Sequence, residues 1–283
     1  NLSRIANVSN DGRKAGRTGQ GAVWGSKKLK ALSVRGTGGV EVADPDELLK
    51  LSYDILQAAQ GPHTQKYRIL GTSSNVLNMN RLGLLPTRNY QQGVFEHAEL
   101  VSGEHLHDHH KVKVIACAQC PIACEQMSKA IDGPYAGAMT GVEYESLYAV
   151  ASNCGISSME AAIKMIDICD EDGMDSMSGG VTVSFAMECY EKGVLKKEDF
   201  VCAKYPEGFE ANFGNDEAGV TILEMIRDRE GIGAILSEGT KRASAHLDAE
   251  RGSETFKWAM NIKGLELPGY DARALKTFAL GLA

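Results

Sequence analysis

The sequence predicts a mainly α fold: a large helical body preceded by the end of a small α/β, β-rich piece. Three observations carry this. Capped, helically periodic runs recur from residue 43 onward. Strand signals are confined to "LKALSV" at 29–34 and "FKWAMNI" at 256–262, with a further short strand expected around Ile5–Val8. No fixed-period repeat is present. The expected division is 1–42 for the β-rich piece and 43–283 for the helical part.

Each helix has its own start and stop signals. "ADPDELLKLSYDILQ" opens with Asp44 as N-cap, Pro45 at the first helical position and Glu47 closing a capping box. Leu48, Leu51 and Ile55 then recur at helical spacing. "SSMEAAIKMIDICDEDG" starts with a Ser157/Glu160 box and stops at Gly173. Ser176 to Lys192 stops at Gly193. Asn215 caps "DEAGVTILEMIRDREG", and "IGAILSEGTKRASAHL" continues from it. Residues 61–114 read as loop-rich. Their "HLHDHH" run (His105, His107, His109, His110) could chelate zinc or nickel, but its charged setting favours a solvated loop.

At 283 residues, 43% hydrophobic and 24% charged, the chain has the make-up of an ordinary globular protein of one or two domains. It has no apolar run of membrane-spanning length, and no signal peptide is expected. Seven cysteines without a pairing framework point to a reducing interior, and a cytoplasmic setting is expected. The chain opens on Asn1 and closes inside the apolar stretch "TFALGLA", so a fragment is expected.

Charge is uneven. Residues 1–36 hold eight basic residues against one acid, Asp11, whereas the rest holds 22 basic and 36 acidic. A basic patch on an acidic protein suggests an anionic ligand. The same stretch carries "AGRTGQGAVWG", where Gly16, Gly19, Gly21 and Gly25 let backbone N–H groups approach an anion. Nucleic acid fits poorly, because only Trp24 offers a stacking surface. A dinucleotide site is open, with Glu41 as ribose acid, but the glycine spacing is one residue off and no strand–helix alternation follows. A plain glycine-rich turn with solvated lysines is the bland reading.

"IACAQCPIACEQ" places Cys117, Cys120 and Cys124 in the order C-x2-C-x3-C. Pro121 argues for a loop that becomes helical only afterwards, with Cys124 on the first helical turn. An odd number of cysteines argues against disulfides. Structural zinc prefers two separated pairs of ligands. A compact run containing proline is closer to an iron–sulfur site with its fourth ligand distant. Zinc, or cysteines acting as small hydrophobes, remain the alternatives.

Two carboxylate groups stand out. In "GVEYESLYAVASNCG", Glu143, Tyr144 and Glu145 offer a general base beside a phenol donor, or equally an acidic helix start favoured by the helix dipole. Asp170 to Ser176 form an acidic turn that is not an EF-hand, since the spaced ligands are missing.

Six segments, "GRTGQGAVWGSKKLKALSV", "CAQCPIAC", "GVEYESLYAVASNCGI", "DEDGMDSMSGG", "EGIGAILSEGTKRAS" and "KGLELPGYDARALKTFALGLA", occur in the order seen in aldehyde:ferredoxin oxidoreductases. The chain resembles that tungsten-pterin family over nearly its whole length. The resemblance implies tungsten, or molybdenum, held by two pyranopterins beside one [4Fe-4S] cluster. It implies that residues 1–42 end a pterin-binding domain, with Arg13 and Arg17 toward pterin phosphate. Cys117, Cys120 and Cys124 match the first three cluster ligands. The fourth is expected beyond Ala283, so that Cys154, Cys169, Cys189 and Cys202 are not ligands. Asp170, Gly173 and Asp175 match a pterin-binding motif in which Met174 replaces leucine, with Ser176 adding a contact. Glu145 matches the active-site glutamate and Tyr144 lies beside it.

The resemblance further implies oxidation of an aldehyde to its acid. Glu145 would take a proton from water and Tyr144 would steady the oxyanion. Electrons would pass through the cluster to ferredoxin or a partner subunit, in an anaerobic setting with a homodimer allowed. No nucleic-acid or membrane partner is implied. The rival readings are a relative acting on another substrate, such as an aromatic thioester, and a non-enzymatic iron–sulfur or zinc module.

Overall fold

The computed structural model describes residues 2–10, 12–15 and 17–283. Gly16, from the glycine-rich loop, lies outside the described residues. The chain starts with an antiparallel hairpin, β1 (Val8–Asn10) and β2 (Arg13–Ala15), followed by α1 (Gln20–Ser26) and α2 (Pro45–Gln60). Short helices α3 (Gln65–Leu70), α4 (Asn75–Arg81) and α5 (Gly103–His109) lead into a three-stranded antiparallel sheet. Its strands are β3 (Lys111–Ile115), β4 (Glu125–Lys129) and β5 (Met139–Val142), in that order. The helical body is α6 (Tyr144–Val150), α7 (Met159–Glu171), α8 (Ser176–Glu191), α9 (Asp216–Asp228), α10 (Gly233–Leu236) and α11 (Thr240–Arg251). A two-residue hairpin, β6 (Asn261–Ile262) and β7 (Leu265–Glu266), precedes α12 (Lys276–Leu282).

The mainly α expectation holds, because the core is built by helices. Every residue of α8 from Ser178 to Cys189 is buried. A helix buried on all sides belongs at the centre of a domain, and α8 packs against α6, α7, α9 and α11. Its approach to α6 depends on Gly180. A Cβ there would stand 2.5 Å from the Ala149 carbonyl carbon and 2.6 Å from its oxygen. Alanine has the better helix propensity by about 1 kcal/mol, but main chain cannot swing aside as a flexible side chain would. Overpacking therefore wins. Gly180→Ala is expected to destabilise the full-length protein by about 1–3 kcal/mol, read by equilibrium or thermal unfolding.

The caps follow the chemistry of the sequence at three helices. Asp44 accepts the Glu47 N–H at 2.9 Å, Asn215 accepts that of Ala218 at 3.0 Å, and Asp175 opens α8. At α7 the cap is Ser158 rather than Ser157. Its Oγ takes the Ala161 N–H at 3.1 Å, since the extended backbone at Ser158 aims that hydroxyl into the helix. The single run expected over "IGAILSEGTKRASAHL" splits into α10 and α11, because Gly239 takes a positive φ of 82° with ψ 160°.

"LKALSV" is not a strand: among the described residues it pairs with none, and Leu32 is 71% and Val34 83% exposed. A strand is stabilised by a partner, and none is placed beside it. "FKWAMNI" is a 3₁₀ turn at Thr255–Lys257, and only Asn261–Ile262 pair. The strand near Ile5–Val8 begins at Val8, with Ala6 bridging Met174. The sheet β3–β4–β5 was not anticipated. It leaves Cys124 in the loop that leads into a strand rather than on a helix: Ala123 takes a positive φ of 54° and β4 starts at Glu125. "HLHDHH" is helical rather than a solvated loop. Ser102 caps α5 through the His105 N–H at 3.0 Å, and His110 is buried with Nδ1 3.2 Å from the Lys129 carbonyl. Among the described residues no helix is long and apolar enough to cross a membrane.

Candidate active site

The N-terminal hairpin and the acidic turn after α7 are held together by main chain. Asn7 N donates to the Gly173 carbonyl at 2.8 Å, and Asp175 N donates to that of Ile5 at 2.8 Å. Gly173 takes a positive φ of 66°, which ends α7 and lets the chain reverse into α8. Residues some 160 positions apart in sequence thereby share one wall.

A cavity of about 210 Å³ opens there. Its walls include Arg13, Arg17, Glu145, Asp170, Asp175 and Ser176. These six come from β2, the loop after it, α6, the end of α7 and the start of α8, and all six stand out in the sequence. Asn7, Lys14, Glu125, Glu143 and Ser146 complete the polar wall. Glu125 directly follows the last clustered cysteine, and Lys14 and Ser146 each adjoin an expected residue. Their adjacency was the only signal, and it does not reveal which way a side chain points.

The charges are paired within the wall. Arg13 Nη1 lies 2.6 Å from Glu143 Oε1 and 3.2 Å from Glu125 Oε2. Burial works against the Arg13 charge, but the Glu143 hydrogen bond and the fields of Glu143, Glu125 and Cys117 raise its pKa. Lys14 Nζ donates to the Asp170 carbonyl at 3.0 Å, and Thr140 donates to the Asp170 carboxylate. Asp175 accepts from Met177 N at 3.1 Å and from Ser178 Oγ at 2.6 Å. Arg17 Nη2 donates to the Glu266 carbonyl at 2.7 Å, and its Nε stands 3.2 Å from Asp175 Oδ2 without an aligned hydrogen bond. Asn7 Oδ1 is likewise buried without a partner. Ser176 Oγ meets Ser146 Oγ at 2.7 Å.

Burial pushes the pKa of Asp170, Asp175 and Glu145 up, since each carboxylate loses water. At Glu145 two influences oppose that rise: the Gly269 N–H, which donates to Oε2 at 2.9 Å, and the Arg17 charge. Glu145 Oε1 accepts no hydrogen bond among the described residues. Tyr144 is placed differently from the expectation. Its ring is buried and its hydroxyl donates to the Gly269 carbonyl, so it does not line the cavity. The first residue of α6 turns inward while the second faces the cavity, as 3.6-residue periodicity requires.

The three clustered cysteines occupy the loop between β3 and β4. A turn closes it, with Cys120 N donating to the Cys117 carbonyl at 3.0 Å and Gln119 at a φ of 60°. Cys117 is exposed, while Cys120 and Cys124 are half-buried. Burial, then the nearby Glu143, raises the Cys124 thiol pKa. Arg13 and Glu143, which line the cavity, thus also exert their fields on this loop. Among the described residues no three histidine, cysteine or acidic side chains converge as a preformed metal site. The other four cysteines are buried.

A second cavity of about 450 Å³ shares Arg17 and Asp175 and adds Arg4, Arg242 and Lys263. Its lining also holds the acids Glu238 and Glu266, so the polar surface continues past Arg17 with both signs of charge.

Comparison with known proteins identifies the family. Residues 50–283 match the family model "Aldehyde ferredoxin oxidoreductase, domains 2 & 3", and residues 1–36 match that of the N-terminal domain. The chain is 39% identical over 289 aligned residues to a tungsten-containing aldehyde ferredoxin oxidoreductase of Pyrococcus abyssi, covering all of this chain and 45% of that protein. It is 31% identical to the WOR-like subunit of an aliphatic sulfonate oxidoreductase of Pyrococcus furiosus, over 92% of this chain and 41% of that protein. The active-site complex of benzoyl coenzyme A reductase, solved with 1,5-dienoyl-CoA, shares the fold. Its TM-score is 0.72 at 24% identity, over 95% of this chain and 41% of that one. The chain spans under half the length of these relatives. Family models covering nearly every residue, and a cavity walled by the residues singled out in the sequence, lead to one conclusion: the chain belongs to the aldehyde ferredoxin oxidoreductase family.

Proposed function

We propose that this chain contributes the cofactor-facing part of a tungsten-pterin oxidoreductase that oxidises aldehydes to carboxylic acids and passes the electrons to ferredoxin or a partner subunit. The observation that carries this reading is the convergence of Arg13, Arg17, Asp170, Asp175, Ser176 and Glu145 on one cavity. The donor set fits a pterin. Asp170 and Asp175 are acceptors for ring N–H groups, and Arg13, Lys14 and Arg17 are donors for phosphate. The unpartnered Asn7 Oδ1 and Arg17 Nε leave one acceptor and one donor for such a group. The division at residues 42 and 43 is proposed on the same ground. The first part brings the cations, and the second brings the acids and the cysteine loop.

Bound there, a tungsten–pterin group supplies Lewis-acid and two-electron redox chemistry. The chain's own part is proton handling and orientation. Glu145 lines the cavity with Oε2 held by the Gly269 N–H, and takes a proton from the attacking water. Its raised pKa makes the carboxylate a better base than an exposed one. Tyr144 contributes through the Gly269 carbonyl it holds, rather than as an oxyanion donor. Cys117, Cys120 and Cys124 are proposed as three ligands of a [4Fe-4S] cluster, on their spacing and shared loop.

The test is metal analysis with EPR on the full-length protein, purified without oxygen and reduced with dithionite. Iron and tungsten together, with a reduced-cluster signal and turnover in an aldehyde screen, are expected. Zinc alone would make the cysteine loop a structural site and end the oxidoreductase assignment. Molybdenum in place of tungsten would change the metal and leave the residue roles intact.

A further inference from the structure

Tyrosine hydroxyls meet on one strip of main chain beside Glu145. Tyr148 Oη donates to the Leu267 carbonyl at 2.6 Å, Tyr90 Oη to that of Pro268 at 2.9 Å, and Tyr144 Oη to that of Gly269. The N–H of the same Gly269 is the one that donates to Glu145 Oε2 at 2.9 Å. Three successive carbonyls and one N–H are thus each held by a side chain. A phenol has a single proton to donate. The 3.3 Å contact between the Tyr90 and Tyr148 oxygens therefore adds little beyond the two carbonyl bonds.

Two features show that this strip is tightly determined. Tyr90 ends a run of three non-glycine residues in the left-handed region, with φ of 47° at Arg88, 52° at Asn89 and 62° at Tyr90. Such a run is strained and persists only where the surroundings enforce it. Arg88 N donates to the Ser152 carbonyl at 3.1 Å and Asn89 N to that of Asn153 at 2.8 Å. Tyr90 N donates to Asn153 Oδ1 at 3.2 Å, and Arg273 Nη2 to the Tyr90 carbonyl at 2.5 Å. These bonds aim the Tyr90 ring at Pro268. The second feature is Gly269 itself. A Cβ there would stand 2.5 Å from the Tyr148 ring and 2.9 Å from that of Tyr144, so the rings close on a bare Cα.

We infer that Tyr90 and Tyr148 are positioning residues: through the Leu267–Gly269 strip they set the direction of the Gly269 N–H, and with it the orientation of the Glu145 carboxylate toward the cavity. This deepens, and rests on, the reading of Glu145 as the proton acceptor. The groups that face Glu145 are Arg17, Asp175 and the phenols of Tyr90, Tyr144, Tyr148 and Tyr270. Among them the Gly269 N–H is an uncharged donor that favours the ionised carboxylate.

The experiment uses full-length enzyme with Tyr148→Phe and Tyr90→Phe made singly, and Glu145→Gln in parallel. Phenylalanine keeps the ring and removes one donor. Hydrogen exchange at the Gly269 amide is expected to speed up about tenfold, the loss of one hydrogen bond's protection. The acid limb of the kcat/KM profile is expected to move to higher pH, and kcat to fall more than KM rises. Iron and tungsten content should match the wild type. Faster exchange with an unmoved acid limb would reduce the tyrosines to a purely structural role. Unchanged exchange would show that they do not hold the strip. A wild-type limb in Glu145→Gln would instead overturn the reading of Glu145 itself, so the two failures are distinct.

Discussion

Glu145→Gln in the full-length enzyme is expected to lower kcat by about 10²–10⁴-fold, the contribution of a positioned general base if Glu145 is the proton acceptor proposed above. Glutamine keeps the shape and still accepts the Gly269 N–H, so tungsten and iron content should be unchanged. The pH profile gives the sharper readout. Burial holds the Glu145 pKa above the ordinary carboxylate value of about 4.3. A base must be deprotonated to act. Wild-type activity should therefore rise with pH along a limb displaced upward from that value, and the variant should lack the limb. A variant with full kcat and an intact limb would remove Glu145 from the chemistry.

Asp175→Ala should give the largest loss of stability among the cavity residues. Its side chain caps α8 through Met177 N, accepts from Ser178 and stands beside the Arg17 guanidinium. Loss of the cap costs about 1 kcal/mol. Leaving Ser178 without its acceptor and the Arg17 guanidinium without its counter-charge adds about 1–3 kcal/mol. Together the full-length protein should lose about 2–4 kcal/mol in denaturant unfolding. Asp175→Asn keeps the cap and removes the charge, and should recover about 1 kcal/mol of that loss. If both variants unfold like the wild type, the contacts at the head of α8 carry no energy.

Linkage sets the sign of the pH dependence. Asp170, Asp175 and Glu145 all have folded pKa values above their unfolded ones. From about pH 4 up to those raised values the folded state binds more protons than the unfolded chain. These groups therefore make stability fall as pH rises through that window. Asp175→Ala should flatten the slope.

The parts legible in the sequence were those governed by neighbours along the chain. Asp44, Asn215 and the Gly173 and Gly193 stops could be read because a cap acts within one turn of its helix. The cavity residues could be named because motif resemblance marks residue types. The same reading misplaced "LKALSV", Cys124 and the histidine run. The β propensity of "LKALSV" finds no partner strand among the described residues, Cys124 is left in the loop that enters β4, and His110 is covered by elements that local composition does not register.

Residue order alone specified the longer capped helices, the residue types gathered for charge and metal chemistry, and the family. Tertiary structure decided which of those residues face one another. Only main-chain pairing between residues 5–7 and 173–175 brings Arg17 beside Asp175. Only the packing of α6 on the 267–269 strip gives Tyr144 the Gly269 carbonyl and Glu145 the Gly269 N–H. A hydrogen bond across more than a hundred residues depends on where the whole core settles, and no local pattern encodes that direction.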